Sequence, residues 1–140
     1  MLRNSKSIFV VIEEPEAHLF TDAQKEIMDF IALFVNSKDN QVLITTHSPY
    51  ILTSANNLLY ASKVGIKTDE VNKIIPKEKW IDPANFGVFM VDDKDNDYVR
   101  SIIDDELQEI AAEKIDRISK KIRSDYANIY NLEAENEFTE

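Results

Sequence analysis

Two short apolar segments, each running into polar, chemistry-bearing residues, constrain this chain more than any other feature. The first reads Ile8-Phe9-Val10-Val11-Ile12-Glu13-Glu14-Pro15-Glu16-Ala17-His18-Leu19. The second, Val42-Leu43-Ile44, runs into Thr45-Thr46-His47-Ser48-Pro49. A continuous apolar run bounded by turn residues predicts a strand buried on both faces of a parallel sheet. Between the two runs a helix is predicted from about Thr21, because Ile27, Phe30, Ile31, Phe34 and Val35 recur at helical spacing. Thr21 or Asp22 can cap it, and Asn36-Ser37-Lys38-Asp39-Asn40 breaks it. Two carboxylates and a histidine therefore stand at the ends of two strands.

The pattern continues with Ser48-Pro49, which caps a short helix through about Ser54, proline occupying the first helical position. Leu58-Leu59-Tyr60-Ala61 reads as a third strand. Strand, helix, strand, helix, strand implies right-handed crossovers and an α/β fold, with a mostly parallel sheet flanked by helices. The second half changes character. Phe86–Val91 and Tyr98–Ile103 read as a hairpin around the polar turn Asp93–Asp97. From Asp104 to about Asn131 the chain reads as helical, and Ile115, Ile118, Ile122, Tyr126 and Ile129 form one apolar stripe. The organisation expected is a single domain over 1–140: an α/β core over 1–65, then a hairpin and a C-terminal helical segment over 66–140.

Charge narrows the partners. Residues 1–91 carry eleven acids and nine bases, a balance of -2; residues 92–140 carry fifteen acids and seven bases, a balance of -8, giving -10 in all. Nucleic-acid binding needs a basic patch, and none is visible, so direct contact of this chain with DNA or RNA is not expected. No apolar run approaches the ~20 residues of a membrane span. The N-terminal residues lack a signal peptide's apolar stretch and cleavage site, and there is no cysteine; a cytoplasmic protein is expected. Asp93, Asp95 and Asp97 mimic the alternating acids of a calcium loop. Tyr98 stands where that loop needs glycine and Asp104 where it needs glutamate, so a solvated turn is the better reading.

Ligands of an open parallel sheet sit beyond the carboxyl ends of its strands, where Glu13 and Glu14 stand. Neighbours on a strand point to opposite sides, so the two carboxylates have different tasks. One can hold a magnesium ion, in part through water; the other can orient a water for in-line attack on a terminal phosphate. An acidic corner favouring the next helix N-terminus is the competing reading. His47 likewise either satisfies a local backbone group or senses a phosphate. A metal-ligand reading through Glu14 and His18 lacks a third ligand nearby, and a metal-dependent hydrolase using Glu13, Glu14 and His18 fits the carboxylates but leaves the Thr-His-Ser-Pro strand end unexplained.

Ile8–Leu19 resembles the Walker B and D-loop segment of ABC-type ATPases. The nearest likeness is to the overcoming-lysogenization-defect (OLD) family and related AAA-like bacterial ATPases, where an apolar strand, E-E-P-E-x-H-L and a later T-H-S-P recur. Thr45–Leu52 is similar to that family's switch-histidine segment. The resemblance covers about residues 5–60 and implies a partial P-loop ATPase lobe using ATP and Mg2+. By it, Glu13 takes the magnesium position, where the wider P-loop class usually has aspartate. Glu14 matches the catalytic glutamate and His47 the γ-phosphate sensor. Glu16, Ala17 and His18 match the D-loop at a nucleotide-sandwich dimer interface, and Glu16, His18 and Ser48 are expected to bind the nucleotide.

One part of that site has no counterpart here. No G-x-x-x-x-G-K-[ST] occurs, and the only glycines are Gly65 and Gly87, so the amide-and-lysine cradle for β- and γ-phosphates is absent from these residues. In the family's chain order that cradle lies upstream of Walker B. The expectation is a C-terminal lobe, inactive alone, that meets ATP through a missing N-terminal lobe or a partner chain and forms a homo-oligomer. Such families serve DNA repair or phage defence. The alternative is a free-standing, non-catalytic interaction or regulatory module derived from such an ATPase.

Overall fold

A computed structural model describes residues 7–91 and 98–111, together with Ser124 and Ala127. Strand β1 (Phe9–Glu13) leads through helix α1 (Thr21–Ser37) to strand β2 (Gln41–Thr45), and helix α2 (Pro49–Gly65) follows directly. Three short 3-10 turns, Asp69–Lys73, Lys77–Lys79 and Pro83–Asn85, carry the chain back across the helices. Four short strands close the described part: β3 (Phe89–Val91), β4 (Val99–Ser101), β5 (Ile103–Asp104) and β6 (Glu109–Ile110). The result is α/β, and among the described residues its parallel sheet has two strands rather than the larger sheet expected. No described helix is long and apolar enough to cross a membrane.

β1 and β2 pair parallel from Phe9 opposite Gln41 to Glu13 opposite Thr45, so their carboxyl ends are level. Asn40 sets the start of the pairing. Its buried side chain accepts from the Ile8 amide (3.0 Å) and donates to the Phe34 carbonyl (2.8 Å), tying the end of α1 to the beginning of β1. Val10, Ile12, Val42 and Ile44 pack toward the helices. Met28, Ile31 and Ala32 of α1 meet Ile51, Ala55, Leu58 and Leu59 of α2 in the core, which Ile102 and Ile110 complete.

Several expectations are corrected. The strands are not buried on both faces: Phe9 (62% exposed), Val11 (53%) and Leu43 (54%) form a bare apolar face opposite the helices. Leu58–Ala61 is no strand but the interior of α2, because Ile51, Ala55, Leu58 and Leu59 fall on one helical face and enter the core together. The helix that should have stopped near Ser54 therefore runs to Gly65. α1 begins at Thr21, but neither Thr21 nor Asp22 caps it: Phe20 holds the cap position without a side-chain hydrogen bond, and its carbonyl accepts from the Gln24 amide (3.1 Å).

The hairpin expected over 86–103 forms as β3 against β4, antiparallel, with Met90 opposite Arg100; its turn at 93–97 lies outside the described residues. Beyond it, Asp104 starts a second hairpin instead of a helix. Its carboxylate accepts from the Glu106 (3.0 Å) and Leu107 (2.9 Å) amides, and Gln108 turns left-handed (φ 53°), so β6 folds back onto β5. The Ile115–Ile129 stripe lies outside the described residues, of which Ser124 and Ala127 are helical.

Candidate functional site

The site is assembled where the two parallel strands end. Glu13 is the last residue of β1 and is exposed, level with Thr45; alternation places it on the bare side with Phe9 and Val11. The pairing extends one residue further, through the Glu14 amide to the Thr45 carbonyl (2.8 Å). There the chain turns sharply. Glu14 adopts a left-handed backbone (φ 46°), uncommon for a residue with a side chain and sterically costly. Two tight turns follow, with the Ala17 amide donating to the Glu14 carbonyl and the Leu19 amide to the Glu16 carbonyl, both at 2.9 Å. His18 is again left-handed (φ 65°). Backbone strain of this kind tends to be held where function requires it.

The turn carries the Glu14 carboxylate to the end of β2. Its Oε1 lies 3.4 Å from His47 Nε2, so the structure brings together the two residues that the sequence offers as hydrolytic partners. Both side chains are open to solvent, the imidazole 89% and the carboxylate 54% exposed. An exposed pair at this distance contributes little stability, and its value is geometric. His18 is exposed at the far end of the loop, and among the described residues no hydrogen bond or ion pair joins it to Glu14 or His47.

Glu16 and Ser48 make their hydrogen bonds within the protein. Glu16 Oε1 accepts from the Thr46 hydroxyl (2.6 Å) and from the His47 amide (2.9 Å), while Oε2 is buried with no hydrogen-bond partner among the described residues. Burial pushes the Glu16 carboxyl up. The Thr46 hydroxyl and the backbone amides of Glu16, His47 and Ser48 outweigh it and hold the group below the ordinary glutamate value, so it is an anion at neutral pH. Ser48 Oγ caps α2 by accepting from the Tyr50 (3.1 Å) and Ile51 (3.4 Å) amides, as its position before Pro49 predicts. The same hydroxyl donates to Gln24 Oε1 at 2.5 Å, and Ser48 is buried. Its oxygen is therefore engaged within the protein.

Thr46 and Gln24, which sequence reasoning passed over, hold this arrangement together. Thr46 Oγ1 accepts from the Ser48 amide (3.0 Å) while donating to Glu16. Gln24 Nε2 donates to the Leu19 carbonyl (3.0 Å) while its oxygen takes the Ser48 hydroxyl. The only hint in the sequence is a hydroxyl doublet, Thr45-Thr46, ahead of His47.

The fit to magnesium rests on the donor set. Among the described residues no group of three or more His, Asp or Glu gathers to cage an ion. Magnesium seldom needs one: it keeps several waters and binds through one or two carboxylates plus substrate phosphates. Glu13, exposed at the strand end, fits such a role, and the remaining ligands would come from water and nucleotide.

These features define a class: a β-α-β unit with carboxylates and a histidine grouped beyond the carboxyl ends of parallel strands. The sequence model of the AAA ATPase domain family matches residues 2–52, which span β1, α1, β2 and the first residues of α2. Over this segment, less than half of the chain, the protein is similar to AAA-like ATPases. No curated protein and no solved structure matches the chain.

Proposed function

We propose that this chain supplies the metal-and-water side of an ATP-hydrolysing site in an OLD-like, ABC-type ATPase. Glu13 of the Walker B strand holds Mg2+, Glu14 orients the attacking water, and His47 contacts the γ-phosphate. The observation that carries this reading is the approach of Glu14 Oε1 to His47 Nε2 from two different strand ends, with Glu13 at the end of β1 level with Thr45. Glu14 and His47 are exposed, as groups must be to meet a nucleotide. His18, on the same strained loop, is offered to a facing subunit across a nucleotide-sandwich interface, and the chain works as a homo-oligomer. By its resemblance, the hydrolytic cycle serves DNA repair or phage defence.

The phosphate cradle comes from a segment outside these 140 residues, either of the same polypeptide or of a partner. The bare face of the β1–β2 sheet is where that segment docks. Parallel sheets are stable when both faces are covered, and one face here is open. Phe9 and Val11 lead along that face to Glu13, and Leu43 leads to Thr45. A segment covering the face thus arrives at the metal carboxylate.

The test is Glu14→Gln in the ATPase assembly that contains this chain. Loss of a positioned general base lowers turnover by about 10²–10⁴-fold. Single-turnover hydrolysis should fall by that order while ATP stays bound and the closed dimer accumulates on size-exclusion chromatography. Undiminished turnover in that variant ends the assignment. A non-catalytic interaction module is the second reading, favoured by the lack of any glycine loop in the sequence. It predicts that no assembly containing the chain loses ATPase activity when Glu14 is changed.

A further inference from the structure

We propose that Glu16 is a positioning residue: its carboxylate clamps the Thr46–His47 strand end to the Glu14–Phe20 loop and so sets the approach of His47 to Glu14. The inference rests on the reading of Glu14 and His47 as the hydrolytic pair, and deepens it. It departs from the expectation that Glu16 itself contacts the nucleotide or a facing subunit.

The argument starts from the backbone. With Glu14 left-handed, the chain leaves β1 and doubles back, so Glu16 returns beside the end of β2 rather than pointing away from it. One carboxylate oxygen then takes two donors thirty and thirty-one residues away, the Thr46 hydroxyl and the His47 amide. Hydrogen bonds to an ionised acceptor are shorter and roughly twice as strong as neutral ones. The His47 ring, by contrast, is almost wholly exposed, and its contact among the described residues is the 3.4 Å approach to Glu14. What fixes the ring is therefore its backbone, and what fixes that backbone is Glu16.

A second tie keeps the loop from rotating about this anchor. The Leu19 carbonyl is held by Gln24, and Gln24 is held by the Ser48 hydroxyl. The Thr46 hydroxyl links the two ties by accepting from the Ser48 amide. The loop is thus bound at both ends to three consecutive residues, Thr46, His47 and Ser48. The left-handed His18 lies between the two anchors, and the left-handed Glu14 stands two residues ahead of the first. Because Glu14 and Glu16 share this short loop, a displacement of His47 is transmitted to the Glu14 carboxylate without any further contact.

The experiment is amide hydrogen exchange and side-chain NMR on the 140-residue chain, which reads the clamp without requiring catalysis. In Glu16→Ala, loss of a charge-assisted bond speeds exchange of the His47 amide by about tenfold or more, and the His47 ring–Glu14 side-chain contact disappears. Glu16→Gln keeps an acceptor oxygen and restores most of the protection and the contact. Glu14→Gln leaves the His47 amide unchanged. Thr46→Val preserves the branched shape but removes the hydroxyl, and speeds exchange at Ser48 and His47. Unchanged His47 exchange and a retained ring contact in folded Glu16→Ala overturn the proposal. Should that variant fail to fold, unchanged exchange at both amides in Thr46→Val overturns it equally. Because Glu14→Gln turnover in the ATPase assembly judges the hydrolytic reading separately, failure of the clamp and failure of that reading are distinguishable.

Discussion

Gly65→Ala is the substitution whose consequence can be worked most directly from the structure. Gly65 closes α2, and no described glycine has a positive φ, so glycine is not required there by backbone conformation. Space requires it. A Cβ added at Gly65 overlaps the Trp80 ring at Cη2 and Cζ3 and comes within 2.8 Å of Cζ2. The ring cannot yield freely, because its indole N–H donates to the Ile75 carbonyl (2.8 Å) and the Lys77 ammonium lies 6.0 Å from the ring centroid. Overpacking of this kind costs about 1–3 kcal/mol. Replacing glycine by alanine returns up to about 1 kcal/mol of helix propensity, less at a helix end. The balance is a destabilisation of about 1–2 kcal/mol, with Trp80 displaced. Trp80 is the only tryptophan, so its fluorescence reports the site directly. Urea unfolding should show a lower midpoint with an unchanged slope, and native emission should shift to the red. In a Trp80→Ala background, followed by circular dichroism, Gly65→Ala should be neutral or stabilising. A single variant as stable as the parent, with unchanged emission, refutes the packing argument.

Two further outcomes follow from the charges. Asp29 on α1 accepts from Lys79 (2.9 Å) and Lys25 (3.0 Å); burial pushes its carboxyl up, but the two lysines outweigh that and hold it below the ordinary aspartate value. A depressed folded pKa contributes stability above the unfolded value of ~3.9, lost as pH falls through the folded value. Asp29→Asn should therefore cost about 1 kcal/mol in urea titrations at pH 7, with the gap to wild type closing in acid below ~3.9; a gap that persists at pH 2 would count against the ion pairs. For the 140-residue chain alone, Glu13, Glu14 and Glu16 crowd the strand ends without the lysine and amide cradle that binds phosphates. Calorimetry with ATP and Mg2+ should find binding weaker than micromolar, and a micromolar Kd would refute the dependence on an outside cradle.

The sequence was most informative where periodicity and turn chemistry agree. The apolar runs, the spacing from Ile27 to Val35 and the Ser48-Pro49 cap define β1, α1, β2 and the start of α2. It misled where a short apolar run fits either period: Leu58-Leu59-Tyr60-Ala61 is as acceptable to a strand as to a helix, and only partners in α1 and β6 decide. Nothing in the sequence singles out Asn56, whose side chain accepts from the Ile110 amide (2.7 Å) and pins β6 to α2. The Glu13-Glu14 and His47 grouping was legible because parallel strands bring their carboxyl ends together. The inward turn of Glu16 was not, since nothing in its composition marks Glu14 as left-handed. Nor can an apolar run disclose that one of its faces lacks a neighbour, as at Phe9, Val11 and Leu43.

The bare face and the acidic strand ends are most economically understood together. Covering Phe9, Val11 and Leu43 removes apolar surface from water, which is favourable in itself and independent of nucleotide. The same strands deliver Glu13 to the border of that face, while Glu14 and His47 stand just beyond it. On the proposed reading, the segment that shields the apolar face also carries the positive and amide groups that offset three neighbouring glutamates. Docking and completion of the site are then one event. The hydrophobic contact supplies the driving force, and the carboxylates supply a penalty that only a cradle-bearing segment relieves. An unrelated apolar segment would gain the first term and none of the second. The acids that serve hydrolysis thereby also discriminate between partners for the face.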